Sequence, residues 1–334
     1  MSIFCLAALI CFVGMGDPGN ETMDLKPRNF KLNYGAEILG LPAGANVKIW
    51  IPIPKSDELQ KVITVDGSIP GGQLNHAKDP VYDNTIGFFE TVSTANPIQF
   101  DIQYAVIRNE SKPGLSVKKP LTPAERKRFL TANKMVPTEG EPLKLLKGQE
   151  FAGSTMDTGL ALYEIVETFM TYDKSKPGYG NGDVLWACSS KTGNCTDFHS
   201  LFISLARSRQ IPARFEIGFP IPKDKTSGTL GGYHCWAWFF TDEQGWVAVD
   251  ISEADKHSEM KDYYFGRLTP DRVAFSTGRD IELRPPSKSG PLNYFVYPHV
   301  EVDGEVWPRK EIKLKLSFED IKFSNSNTQT LIEN

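Results

Sequence analysis

The hydrophobic period changes partway along this chain, and that change limits the possible folds more than any other feature. In the first third, apolar and polar residues alternate. Phe30-Lys31-Leu32-Asn33-Tyr34 does so, as does the first half of Val47-Lys48-Ile49-Trp50-Ile51. Phe100-Asp101-Ile102-Gln103-Tyr104 follows the same rule before running into Ala105 and Val106. A period of two, with Gly and Pro turns between runs, describes antiparallel strands with one buried face, and a small β-sandwich is the economical arrangement. Residues 109–122 then hold Pro113, Gly114, Pro120 and several lysines, which reads as a linker. Beyond it the period lengthens. Thr122-Pro123-Ala124-Glu125 combines an N-cap, a proline at N1 and a glutamate at N3, a helix start. In residues 156–172, Leu160, Leu162, Ile165, Val166 and Phe169 sit at helical spacing. Strands return at 213–219, 234–241 and 245–251, so the second part is α+β: helices followed by sheet.

The N-terminus reads separately. Residues 3–15 form an almost unbroken apolar run ending at Gly16, Asp17 and Pro18. The run falls short of the roughly 20 residues that span a bilayer, but it fits the apolar region of a signal peptide. Gly14 and Gly16 supply the small-x-small pattern before a cleavage point. No Lys or Arg precedes the run, and the competing reading is a buried strand or a mis-assigned start. Neither Cys5 nor Cys11 follows the small residue that a lipoprotein signal requires. The expectation is an exported protein, periplasmic or secreted, with no stable membrane anchor after signal removal. The division expected is a signal peptide over 1–16, a β-sandwich-like domain over 17–110, a linker over 111–122, an α+β domain over 123–305 and an extension over 306–334. Two domains suit 334 residues at roughly 150 per domain.

Export bears on the five cysteines. Cys5 and Cys11 would leave with the signal, so Cys188, Cys195 and Cys235 remain. An odd number in an oxidising compartment leaves at least one without an intramolecular partner. A chain of this size needs no disulfide framework, so a free thiol suggests a chemical role. Charge narrows the partners: 37 Lys and Arg against 41 Asp and Glu give −4, which argues against a general nucleic-acid binder.

The candidate for that thiol is Cys195. It follows Gly193 and Asn194 and opens a segment in which Phe198, Leu201, Phe202, Leu205 and Ala206 share one helical face. With Asn194 as cap, Cys195 stands at the helix N-terminus. A thiol attacks as thiolate, and a free one has a pKa near about 8.5. The helix end favours negative charge, a neighbouring histidine can take the proton, and the same N–H groups can hold an oxyanion. His234 leads out of a glycine turn into an apolar strand, Tyr233-His234-Cys235-Trp236-Ala237-Trp238. Asp250 ends the next strand, Gly245-Trp246-Val247-Ala248-Val249-Asp250, sixteen positions on. A tight hairpin would set the two side by side, with Asp250 accepting from His234 Nδ1–H and fixing the ring. Each residue also has a plain structural reading: a helix-start cysteine, a satisfied buried histidine, a turn-capping aspartate.

Three segments in order, Gly193-Asn194-Cys195-Thr196-Asp197-Phe198-His199, Gly232-Tyr233-His234-Cys235-Trp236 and Gly245-Trp246-Val247-Ala248-Val249-Asp250, resemble the transglutaminase-like family. The likeness is closest to bacterial members, in which a stretch such as Ile211-Pro212-Ala213-Arg214 follows the cysteine helix, and it covers residues 156–255. It implies a papain-like α+β core with a catalytic triad of Cys195, His234 and Asp250. The implied activity is on carboxamide or peptide bonds through a Cys acyl-enzyme. Relatives often use an upstream indole or phenol in the oxyanion hole, for which Trp186 and Tyr179 are candidates. No cofactor and no metal is assigned, and the implied partner is a protein or peptide substrate.

Other polar residues carry less. His199 lies one helical turn from Cys195 and could share its cleft. Asp197 suits the helix N-terminal amides. Alternation points the Cys235 side chain away from that of His234, into the core or toward Cys188. Trp236, Trp238 and Trp246 suit the core of the sheet. A zinc site from Cys188, Cys195, His199, His234 and Cys235 matches no familiar ligand spacing. A catalytically inactive binding or adhesion module is the alternative to an enzyme. Between hydrolysis and amine transfer, hydrolysis is slightly favoured, because efficient transfer needs a site that excludes water.

Overall fold

The computed structural model describes residues 26–114 and 120–321. Residues 1–16, read above as a signal peptide, lie outside them, as do Cys5 and Cys11. Among the described residues no helix is long and apolar enough to cross a membrane.

Two five-stranded antiparallel sheets pack against each other. The first runs Ser227–Thr229, Ile312–Asp320, Arg28–Ile38, Ile98–Arg108, Gln60–Ser68. The second runs Glu305–Val306, His299–Val302, Asn46–Ile53, Thr85–Val92, Asn75–Lys78. The period-two pattern explains the packing: Phe30, Leu32, Tyr34, Ala36 and Ile38 are buried, while Lys31, Asn33 and Glu37 lie between them, partly exposed. Phe89 of one sheet meets Phe100 of the other with ring centroids 6.0 Å apart. The sandwich draws on both ends of the described chain. Ile312–Asp320, within the stretch expected to be an extension, pairs along its whole length with residues 30–38, with Leu32 opposite Phe318 and Tyr34 opposite Leu316.

The third sheet is the one that matters for function. Its order is Phe265–Gly266, Gly245–Val249, His234–Thr241, Ala213–Pro220, Arg272–Thr277, antiparallel throughout. Helices α1 (Pro123–Leu130), α2 (Thr155–Phe169), α3 (Val184–Ser190), α4 (Cys195–Ser208) and α5 (Ile251–Lys256) accompany it. Helix α1 starts at the capping box read from Thr122 and Glu125. Helix α4 packs on the His234–Thr241 strand, Phe202 meeting Phe239 at 5.9 Å. Every residue of α4 from Cys195 to Arg207 is buried, polar ones included. Those polar groups are answered: Arg207 donates to the carbonyls of Ala213 and Thr131, and Arg279 donates to Ser200. The helix therefore runs through the middle of the domain and shows no solvent face.

Two close approaches shape this sheet. Gly218 lies opposite His234 on one side and Ala274 on the other, and a Cβ there would collide with the Val273 carbonyl. The Arg272–Thr277 strand then shifts register between Ala274 and Ser276. Gln60 of the sandwich fills the gap: its Nε2 donates to Ala274 O at 2.9 Å and its Oε1 accepts from Ala274 N at 2.9 Å. A side-chain amide thus completes the backbone pairing of the third sheet from the sandwich.

Candidate active site

Helix α4 begins with a reciprocal cap. Asn194 Oδ1 accepts from Thr196 N at 2.8 Å, and Asp197 Oδ2 accepts from Asn194 N at 2.9 Å. Asp197 also takes Gly180 N at 2.7 Å and Gly182 N at 2.9 Å, so it ties the preceding loop to the helix start. Gly182 sits at φ +59°, where a Cβ would collide with Ser200 and Arg279. These constraints leave Cys195 at the first helical position, 3% exposed.

The antiparallel pairing of His234–Thr241 with Gly245–Val249 returns the chain so that Asp250 reaches His234. His234 Nε2 stands 2.8 Å from Asp250 Oδ2. The sequence reading had Nδ1 in that bond. The ring is turned the other way, which frees Nδ1 as the nitrogen that can serve the neighbouring Cys195 thiol. Asp250 is fully buried and doubles as the N-cap of α5, its Oδ1 accepting from Glu253 N and Ser252 Oγ, each at 3.3 Å. Arg272 Nη1 adds a second charged bond to Oδ2 at 2.8 Å.

The electrostatics follow from that geometry. Burial alone would raise the Cys195 thiol, but hydrogen bonds to Cys235 and His234 and the imidazolium charge overcome it and hold the thiol well below its ordinary range. Burial works against a charged His234, yet the Asp250 charge and hydrogen bond, with Cys195 beyond, push the ring up to about 10. Burial also opposes ionised Asp250, and the charges of His234 and Arg272 prevail and keep it a carboxylate. The stable pairing is thiolate with imidazolium.

His199 is present but differently employed. It is buried, and desolvation lowers its pKa to about 4 despite the nearby Asp250 charge, so it is neutral. Its Nε2 accepts from Ile251 N at 3.0 Å, and Nδ1 meets Cys235 Sγ at 3.6 Å. Cys235 does point to the side opposite Trp236, but that side is the one α4 occupies. Its Sγ lies 3.7 Å from Thr196 Oγ1, and burial together with the neighbouring Cys195 charge pushes its thiol up. Cys188 and Cys235 are both free thiols. Of the expected oxyanion partners, Trp186 Nε1 donates to Pro177 O at 3.1 Å and Tyr179 is 41% exposed. Tyr172 and Tyr233 are the phenols that feel the Cys195 charge most, each raised by burial and then by that charge. Tyr233 OH, 2.9 Å from Thr196 Oγ1 and 3.0 Å from Asn194 Nδ2, braces the helix start. Tyr233 lies within a quoted motif but had no role assigned there, and Tyr172, 21 positions before Gly193, carried no local signal.

Four of the five residues weighed for zinc, Cys195, His199, His234 and Cys235, neighbour one another, but not at ligand-like spacing. Among the described residues the group with ligand-like spacing is His234, Asp250 and Glu253, whose atoms lie within 4.8 Å of one another. The guanidinium on Asp250 Oδ2 and the hydrogen bond to His234 Nε2 already occupy two of those atoms. The arrangement suits proton transfer between a thiol and an imidazole.

Comparison with known proteins agrees on the architecture. Residues 147–251 match the model of the transglutaminase-like superfamily. An uncharacterized protein of Haemophilus influenzae is 34% identical over 168 aligned positions, covering 41% of this chain and 46% of that protein. The chain thus spans about half the length of that relative. A crystal structure of a candidate cysteine protease from Cytophaga hutchinsonii superposes with a TM-score of 0.57 at 13% identity, covering 90% of this chain and 93% of that one. The periplasmic domain of TgpA from Pseudomonas aeruginosa gives 0.37 at 16% identity, over 70% and 90%.

Proposed function

Residues 147–251 carry a transglutaminase-like core, and on that premise we propose that this protein is an exported thiol enzyme acting on carboxamide or peptide bonds through an acyl-enzyme. The observation that carries the reading is the buried Cys195 at a helix start, beside a His234 whose charge lowers the thiol and whose Nε2 is 2.8 Å from a buried carboxylate. Export rests on the apolar run at residues 3–15.

In this mechanism the Cys195 thiolate adds to the substrate carbonyl and the Cys195 backbone N–H faces the developing oxyanion, the next three N–H groups of α4 being taken by Asn194. His234 Nδ1–H then protonates the departing amine, leaving the acyl group on sulfur. Water, deprotonated by the same nitrogen, hydrolyses the thioester. Asp250 holds the ring in one orientation throughout, and proton transfer of this kind contributes typically about a hundred- to ten-thousand-fold. Hydrolysis is the favoured outcome for an exported enzyme bathed in water. The 3% exposure of Cys195 supports amine transfer as the second reading, since a covered thioester resists water.

The test is intact-mass analysis after incubation with a library of glutamine- and asparagine-containing peptides, with and without a primary amine. A Cys195-linked acyl adduct and amide loss are expected in wild type and absent in Cys195→Ala. Turnover that survives in Cys195→Ala ends the reading, and the product mass separates water from amine as acceptor.

A further inference from the structure

Asp250 presents one oxygen to two cationic groups: His234 Nε2 and Arg272 Nη1 each stand 2.8 Å from Oδ2. The proton-shuttle mechanism uses only the first. Arg272 comes from the edge strand of the catalytic sheet, is 3% exposed, and is itself held firmly. Its Nε donates to Thr269 O at 3.3 Å, and its guanidinium lies over the Trp236 ring at 4.8 Å. Trp236 in turn donates Nε1 to Glu216 Oε2 at 2.5 Å, so the surface on which Arg272 rests is pinned as well.

We propose that Arg272 is a positioning residue for the Cys195–His234 pair: it fixes the rotation of Asp250 and adds a permanent positive charge behind the imidazole. The inference rests on the thiol–imidazole reading above. Other groups also face His234 and Asp250. They are Cys195 and His199 from α4, Cys235 from the histidine's own strand, Glu253 from α5, and Tyr264. Of all these, Arg272 is the one that stays cationic at every working pH. Without Arg272 the carboxylate would be held by His234 on Oδ2 and by two longer bonds of 3.3 Å on Oδ1, which leaves it more room to turn and carry the ring with it. With a guanidinium on the same oxygen, it cannot turn without leaving a buried cation unpaired.

The sign of the effect is definite. Removing a cation makes both neighbouring protons harder to lose. In Arg272→Met the acid limb of Cys195 reactivity, where the thiol ionises, and the basic limb, where the imidazolium ionises, both move to higher pH. The acid limb moves by on the order of one pH unit. Arg272→Lys keeps the charge but loses the planar fork, so its acid limb stays in place while its plateau rate falls about threefold.

The experiment is peptide-resolved alkylation of Cys195 by limiting iodoacetamide across the acid and alkaline range, using the full chain as wild type, Arg272→Met, Arg272→Lys and His234→Ala. Limbs of Arg272→Met that overlay wild type overturn the inference. If Arg272→Met does not fold, Arg272→Lys decides: a displaced acid limb or an undiminished plateau overturns it. His234→Ala separates the two levels. If it leaves the Cys195 profile untouched, the thiol–imidazole reading itself falls. If it collapses the profile while Arg272→Met follows wild type, only the role of Arg272 falls.

Discussion

Replacing Asp250 with asparagine should cost both stability and reactivity, and the structure states how much. The carboxylate is fully buried and accepts on both oxygens: His234 and Arg272 on Oδ2, Ser252 and Glu253 N on Oδ1. An amide has one acceptor oxygen and two N–H donors. Turned with its oxygen toward the cations, it presents NH₂ to the Glu253 N–H. Turned the other way, it opposes two charged donors. In either rotamer Arg272, only 3% exposed, loses its counter-charge. Breaking one partner of a buried pair costs about 3–5 kcal/mol. At roughly 2–4 °C per kcal/mol for domains of this size, the melting temperature should fall by about 10 °C. With the ring no longer held, Cys195 alkylation at neutral pH should drop at least about tenfold, and catalysis more, since the analogous change in a serine protease costs on the order of ten-thousand-fold. The assays are thermal melting and peptide-mapped iodoacetamide kinetics. The double variant Asp250→Leu with Arg272→Met should regain most of the lost stability, because replacing both members of a buried pair by apolar groups is often neutral, but none of the reactivity. An Asp250→Asn protein that melts with wild type and alkylates at the same rate would refute the argument at its base.

Three further outcomes follow from the same geometry. Cys195 alkylation should be nearly flat from about pH 6 to 9 because its thiol is already ionised, while Cys188, pushed by burial up to about 11, should react about tenfold faster per pH unit over that range; parallel rises at both cysteines would contradict this. His234, raised from 6.5 to about 10, loses stability as pH climbs through that window, while Cys195, lowered well below its ordinary range, gains it as pH rises to about 8.5, so urea unfolding free energy should stay level from about pH 6.5 to 8.5 and decline from there to about 10; a steady decline from pH 6.5 would mean the folded thiol is not ionised. Gln60→Leu removes the amide that completes the Ala274 bulge and strips Arg108 Nη1 of its partner, so the Ala274 amide should exchange hydrogen faster and stability should fall by about 2–4 kcal/mol; unchanged exchange there would mean the sandwich does not support the catalytic sheet.

What could be read from the residues was what local chemistry encodes. The start of α4 was legible because Asn194, Asp197 and the apolar spacing are all within one helix. Its complete burial was not, since Ser200, Ser204 and Arg207 look like a solvent face until the loops that receive their hydrogen bonds are seen. The juxtaposition of His234 with Asp250 was legible from hairpin length, but the nitrogen used was not, because a ring rotamer leaves no trace in spacing. Alternation turned Cys235 away from His234, into the core or toward Cys188, but could not say that α4 lies on that side and brings Cys195 to it. Arg272 had no signal at all: it is 22 positions beyond Asp250 and reaches it only through the pairing of Arg272–Thr277 with Ala213–Pro220. Ile312–Asp320 alternates plainly, yet its partner strand lies nearly the whole chain away, and pairing at that distance is a property of topology rather than pattern.

That last pairing has a mechanical consequence. Phe30 lies opposite Asp320, Ile321 N donates to Asn29 O at 2.9 Å, and Arg28 Nε meets Asp320 at 3.0 Å, so the two ends of the described chain leave from one corner of one sheet. A pull applied between them loads the ladder at its first rung and opens it one hydrogen bond at a time, a zipper rather than a shear. The fold should therefore yield to small forces along that axis, and the strand to go first would be Ile312–Asp320, which also holds Ser227–Thr229 at the sheet edge just upstream of His234.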